Sequence, residues 1–153
     1  MTAETPDRMR PDTDESLRLL SAVERTLTQL LDDALRAEGS DIDQWRILHL
    51  LAERGGCPMT VVAEHTLMLA PRLSKLVDRM VSANLVIRRP DEQDRRRVLI
   101  AVSARGRQVL DGWNAATEAA QRDVRDVLGP DAEVLDDALR RISARLSGVA
   151  DPV

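Results

Sequence analysis

Phenylalanine and tyrosine are absent from this chain of 153 residues, and its aromatic side chains are two tryptophans, Trp45 and Trp113. Unpaired bases are held on aromatic faces, so single-strand and sequence-specific RNA binding have little support here. Cysteine occurs once, at Cys57, which excludes an intrachain disulfide and a cysteine-based zinc cage. The only imidazoles, His49 and His65, show neither HxxxH nor HExxH spacing, so no metal and no cofactor is expected. No stretch approaches the roughly 18 apolar residues of a membrane span. The leading residues MTAETPDRMRPDTDES lack the apolar run and cleavage site of a signal peptide, so a cytoplasmic protein with no membrane partner is expected. There is no glycine-rich phosphate loop, no GxSxG elbow and no oriented Cys-His pair, and the carboxylates are scattered over polar helix faces; the chain does not read as an enzyme.

What remains is an aliphatic core of Leu, Val, Ile, Ala and Met, and an uneven distribution of charge. The whole chain carries a net charge of −4, which alone argues against a polyanionic partner. Residues 70–107, however, hold ten basic side chains against four acidic ones, a local balance of +6, leaving −10 for the rest. A basic lobe on an acidic body is expected when one face meets a polyanion and the remainder meets solvent.

The basic stretch has its own pattern. Val86 and Ile87 open one β-type run, Pro90-Asp91-Glu92-Gln93 breaks it, and Val98, Leu99, Ile100 and Val102 supply a return strand. Arg95, Arg96 and Arg97 fall at the tip of this hairpin, where guanidinium groups can reach phosphates or a narrow minor groove. Upstream, Thr60 is a plausible N-cap for a short helix through about His65 with Val61, Val62 and Ala63 inward. After a brief turn, Pro71 starts a helix with Leu73, Leu76, Val77 and Met80 inward and Asn84 at its C-cap. Two helices joined by a tight turn and followed by a basic hairpin have the order of a winged helix-turn-helix.

Longer amphipathic helices flank this lobe. Leu17, Leu20, Val23, Leu27, Leu30, Leu31 and Leu35 recur at helical spacing up to Gly39, and Asp41 or Asp43 caps a second helix that Gly55-Gly56 stops. Ser103 caps a long helix ending at Gly129-Pro130, and a last helix runs from about Asp131 with Val134, Leu135, Leu139, Ile142 and Leu146 on one side. The expected fold is therefore mainly α with a small β-hairpin wing. Residues 1–12 form a disordered tail, 41–106 the winged helix-turn-helix lobe, and 13–38 with 107–148 the dimerisation helices. The apolar faces of the outer helices exceed what the lobe can cover, which predicts a homodimer.

Three segments, DQWRILHLLAERGG, RLSKLVDRMVSANLVIRR and DRRRVLIAVSARG, resemble the MarR family of bacterial transcriptional regulators, a likeness that spans about Leu17 to Leu146. The last segment follows the family pattern Asp-x-Arg-x-x-x-(apolar)-x-(Leu/Val)-(Thr/Ser)-x-x-Gly at Asp94, Arg96, Ile100, Val102, Ser103 and Gly106. The resemblance implies that Arg96 enters the minor groove, held by a charge-assisted hydrogen bond that it donates to Asp94, with Arg95 and Arg97 at phosphate or solvent. It implies that residues 70–83 lie in the major groove, with Pro71, Arg72, Ser74 and Lys75 nearest the bases; Arg72 suits a bidentate pair with guanine, and Lys75 a base or a phosphate. Arg79 is a weaker candidate, paired with Asp78 or facing the DNA backbone. The chain departs from the family where Leu69-Ala70-Pro71-Arg72 replaces the usual small hydroxyl residues, which implies a different operator preference.

On this basis the chain reads as a homodimeric regulator, most often a repressor in such a family, that binds a pseudopalindromic operator in double-stranded DNA and is released by a small aromatic or anionic effector. The effector pocket is expected between dimer helices and lobe, with Trp45, His49 and Trp113 in its wall. All three also fit packed core or interface positions. Two alternatives remain at this point: a redox switch through Cys57, although a loop cysteine between Gly56 and Pro58 suits a structural thiol better, and a winged-helix module whose basic wing binds an acidic protein.

Overall fold

The structure, a computed structural model, describes residues 13–148; the expected disordered tail over 1–12 lies outside the described residues. Helix α1 (Thr13–Ala37) ends where Gly39, at φ 73°, turns the chain: Gly39 N–H donates to Arg36 O at 3.1 Å and Ser40 N–H to Leu35 O at 3.0 Å. This paired closure satisfies the last carbonyls of the helix and needs a left-handed residue, which glycine supplies without a Cβ clash. Helix α2 (Ile42–Arg54) begins at once. Asp41, not Asp43, is its cap, accepting from Gln44 N–H at 2.8 Å. The corner is tied a second time by Asp32, whose Oδ1 accepts from Ile42 N–H at 3.0 Å and whose Oδ2 accepts from Arg36 Nε at 2.7 Å. The Ile42 amide first of all, opposed by burial and then reinforced by the Arg36 guanidinium, holds the Asp32 carboxyl below its ordinary pKa.

Helix α3 (Met59–Thr66) starts one residue before the expected cap: Pro58, extended at φ −68°, accepts from Val61 and Val62 N–H through its carbonyl, and Thr60 lies inside the first turn. Only Val62 and Thr66 are buried there, with Val61 and Ala63 half-buried. Helix α4 (Ala70–Ser82) buries Leu73, Leu76, Val77 and Met80, as its spacing predicts. Its cap is Ala83 rather than Asn84; Asn84 takes the left-handed position beyond it at φ 56°, and Asn84 and Leu85 N–H close back onto Val81 and Met80 O.

Strands β1 (Val86–Pro90) and β2 (Val98–Val102) form an antiparallel hairpin running from Val86 opposite Val102 to Pro90 opposite Val98. Pro90 closes the strand instead of lying outside it. A third, single-residue strand comes from Cys57, which exchanges both backbone hydrogen bonds with Ile100 at 3.0 and 2.9 Å. Helix α5 (Ala104–Leu128) follows, so the expected boundary at 106/107 falls within a continuous helix. Ser103 Oγ accepts from Gly106 N–H at 2.8 Å and donates to Asn84 O. At Gly106 the fit is tight: a Cβ there would lie 2.0 Å from Leu85 O and 2.8 Å from Val102 Cγ1, so only glycine lets the helix meet the hairpin. A 3₁₀ turn over Gly129–Asp131 leads into α6 (Ala132–Leu146).

One core joins Leu31 and Leu35 of α1 to Ile47, Leu48, Leu50 and Leu51 of α2, the inward stripe of α4, Val86, Ile100, Val102, Leu110 and Trp113. Farther out the packing stops. Leu17, Leu19, Val23 and Leu30 of α1 are each more than half exposed, and no residue of α6 is buried.

Candidate nucleic-acid interface

The inward stripe of α4 leaves Pro71, Arg72, Ser74, Lys75, Asp78 and Arg79 exposed, and Leu69 and Ala70 at its start are exposed as well. Leu69, its N-cap residue, makes no side-chain cap, and with Pro71 in the first turn the helix start carries no hydroxyl. Arg72 is not free: its Nη2 lies 2.6 Å from Asp43 Oδ2 across to α2, although the guanidinium remains 71% exposed. That pair fixes the direction of the side chain at the start of α4, and a surface pair of this kind exchanges readily for another acceptor. Lys75 has no ion pair or side-chain hydrogen bond among the described residues.

Two further arginines are spoken for. Asp78 pairs with Arg88 of β1 at 2.5 Å, tying α4 to the wing, so the expected Asp78–Arg79 pair does not form. Arg89 Nη2 donates to Gly55 O at 2.8 Å, placing a cation at the C-terminal end of α2, where carbonyl dipoles favour it. Neither role had a local signal in the sequence, because each partner comes from a distant segment.

At the wing tip, Arg95, Arg96 and Arg97 are exposed, and none has a carboxylate within ion-pair distance among the described residues. Their backbone is ordered by two aspartates. Asp91 Oδ1 accepts from Gln93 N–H at 2.9 Å and Asp94 Oδ1 from Arg96 N–H at 3.0 Å, while Arg97 N–H reaches Asp94 O at 2.8 Å and Asp91 N–H reaches Arg97 O at 3.0 Å. Asp94 thus shapes the turn through the Arg96 amide and does not grip its guanidinium as expected. The result is a hydrogen-bonded turn that presents three exposed arginines outside any ion pair, a geometry suited to phosphate or groove contact.

The expected pocket trio separates. Trp113, 6% exposed, lines an open cavity of about 500 Å³ between the α1–α2 turn, the end of α4 and the start of α5. Glu38, Asp41 and Gln44 form one wall, and Arg79 and Arg105 contribute from the other elements. Arg79 is therefore at this cavity. Trp45 and His49 are not in its wall. Their rings meet on α2 with centroids 5.5 Å apart and planes tilted by 57°, and Trp45 Nε1 donates to Asn114 Oδ1 at 2.8 Å. His49 Nδ1 lies 3.9 Å from Glu53 Oε1. Cys57 is 4% exposed, and burial pushes its thiol pKa up. No group of three or more metal-ligating side chains occurs among the described residues, and no described helix is long and apolar enough to cross a membrane.

Comparison with known proteins agrees with this architecture. A family model described as "MarR family" matches residues 39–97. AbsC, a MarR family transcriptional regulator from Streptomyces coelicolor, superposes with a TM-score of 0.78 at 32% identity, covering 92% of this chain and 99% of AbsC. FarR, an HTH-type transcriptional regulator of Neisseria gonorrhoeae, is 28% identical over 136 residues, 89% of this chain and 90% of FarR. NadR, solved in complex with 4-hydroxyphenylacetate, superposes with a TM-score of 0.74 at 24% identity over 98% of this chain and 100% of NadR.

Proposed function

The chain belongs to the MarR family of DNA-binding transcriptional regulators, and from that premise we propose that it is a homodimeric repressor that binds a pseudopalindromic operator and is released by a small-molecule effector. The observation that carries the reading is the pairing of an exposed α4 N-terminus with a hydrogen-bonded wing turn bearing Arg95, Arg96 and Arg97, in a protein whose net charge is −4. Arg96 enters the minor groove beside the site of α4, and Arg95 and Arg97 meet phosphates. Pro71, Arg72, Ser74 and Lys75 face the major groove, with Arg72 exchanging Asp43 for a guanine edge. Arg79, exposed on α4 and also in the wall of the cavity, is the weaker candidate and faces the DNA backbone.

Dimerisation supplies the second half-site. Leu17, Leu20 and Val23 of α1, Val124 and Val127 of α5, and Val134, Leu135, Ile142 and Leu146 of α6 remain exposed in the single chain. Burying several of them at roughly 1.5–3 kcal/mol each suffices for a stable pair. Two-fold symmetry then sets the half-sites about one helical turn, roughly 34–36 Å, or a multiple of it apart.

The effector reading rests on the cavity around Trp113, because its wall includes Arg79 and Met80 of α4, so an occupant acts directly on the groove-reading helix. A relative solved with a small phenolic acid supports this class of ligand. The redox alternative lacks an accessible, acidified thiol at Cys57, whose burial has the opposite effect.

The test is binding to duplex carrying the intergenic sequence upstream of the chain's own gene, in excess random competitor, at two salt concentrations. Retention that weakens steeply with salt and weakens further in Arg96→Ala supports the reading. Binding to an acidic protein but to no duplex contradicts it.

A further inference from the structure

The α3–α4 turn carries the most exposed large apolar side chains of the lobe. Leu67 is 90% exposed and Leu69 80%. Leu67 is also held at φ 56°, a left-handed conformation that a leucine disfavours, so the turn keeps an apolar, strained residue in solvent where glycine or asparagine would fit better. Immediately after it, Leu69 caps α4 without a side-chain hydrogen bond, and Ala70 and Pro71 complete an end free of hydroxyl groups. Cations border this patch, with Arg72 and Lys75 exposed in the next turn.

An apolar knob bordered by cations, at the leading end of the helix assigned to the major groove, is complementary to one feature of duplex DNA. Phosphates and base edges are polar, and the apolar group in the major groove is the thymine 5-methyl. We propose that Leu69 and Pro71 are specificity-determining residues that read thymine methyl groups, so that each operator half-site carries thymine where the α4 N-terminus enters. The inference rests on the DNA-binding reading above. It assigns to apolar contact a part of the recognition that hydroxyl-bearing helix starts perform with hydrogen bonds. Bordering Arg72 and Lys75 supply affinity and polar readout, and the leucine and proline supply the methyl preference.

The experiment begins with duplexes that the full-length chain enriches from a random pool. No enrichment of any sequence overturns the DNA-regulator reading, and this inference with it. Given an enriched half-site, each thymine is replaced in turn by deoxyuridine, which removes only the methyl group, and Kd is measured for wild type, Leu69→Ala and Pro71→Ala. The expected result is a loss of about fourfold per half-site at one or two positions for wild type, the worth of one methyl withdrawn from water. Leu69→Ala or Pro71→Ala should lose a similar factor on the thymine duplex and become indifferent to uracil at its own position, with an unchanged slope of log Kd on log salt. Leu69→Met should restore the thymine preference. Wild type that binds every uracil duplex as tightly as its thymine parent overturns the inference while leaving the regulator reading intact. So does a uracil penalty that persists unchanged in both variants.

Discussion

The lobe and the outer helices are drawn from the same aliphatic alphabet, yet they finish their packing differently. In the lobe, Leu48, Leu51, Leu73, Val77 and Met80 are within a few per cent of complete burial inside a single chain. Along the outer helices, away from the ends of α1 and α5 that join this core, the same residue types at the same helical spacing stay in solvent: Val23 is 58% exposed and Leu146 82%. Periodicity reports that a helix has an apolar face; it does not report whose surface covers it. The difference separates a unit that closes on itself from one whose apolar faces stay uncovered in the single chain.

Breaking the closed unit should have the largest effect. Gly106→Ala forces a methyl to within 2.0 Å of Leu85 O, where the backbone has no rotamer with which to yield. We expect a loss of at least about 3 kcal/mol, read as a collapsed thermal transition or insoluble protein. A variant that melts like wild type would show that α5 can shift off the hairpin.

The open unit should fail in another way. Ile142→Glu places a charge on the unburied face of α6. The expected outcome is a monomer by sedimentation, near 17.0 kDa, with helical content largely kept. Operator affinity should fall about a hundredfold or more as the two half-sites lose their linkage. A dimer that persists would move the interface elsewhere.

Within the lobe, α4 and the wing can be compared in turn. Arg72→Ala should cost about tenfold on a selected operator and little on random DNA, because its planar fork is assigned to a base. Arg96→Ala should cost about tenfold while lowering the salt slope by about one. Equal losses on both kinds of DNA in Arg72→Ala would reduce that residue to a phosphate contact.

The smallest effect sharpens the join between the units. Asp32 has its pKa lowered by the Ile42 amide and by Arg36, so its folded form favours the charged state. The stabilisation is fully present above the unfolded carboxylate value, about pH 4, and is lost as pH falls through the lower folded value. Wild type should melt above Asp32→Asn by a constant margin between pH 5 and pH 7, and the margin should close in stronger acid. A margin that widened on acidification would contradict the sign.

Much of this molecule was legible in the sequence. Spacings of three and four placed the inward stripe of α4, Gly39 and Gly55 marked helix ends, and the β-branched run Val98 to Val102 marked the return strand. What escaped is non-local. Cys57 pairs with Ile100 as a strand one residue long, and a single residue has no alternation to detect. The pairs Arg72–Asp43, Arg88–Asp78 and Arg89–Gly55 join segments whose approach only the fold defines. The pocket trio does not share one cavity of the single chain, for a geometric reason. Trp113 and Asn114 are adjacent on α5 and so point about 100° apart, one into the cavity and the other to Trp45.

The central claim is that two lobes, joined by the outer helices, read DNA with α4 and the wing together. Hydroxyl-radical footprinting of the full chain on an enriched duplex tests it most directly. The account predicts two protected stretches related by two-fold symmetry, about one helical turn or a multiple of it apart, with the wing-side protection lost in Arg96→Ala. A single unsymmetrical footprint, or one unchanged by that substitution, would contradict it.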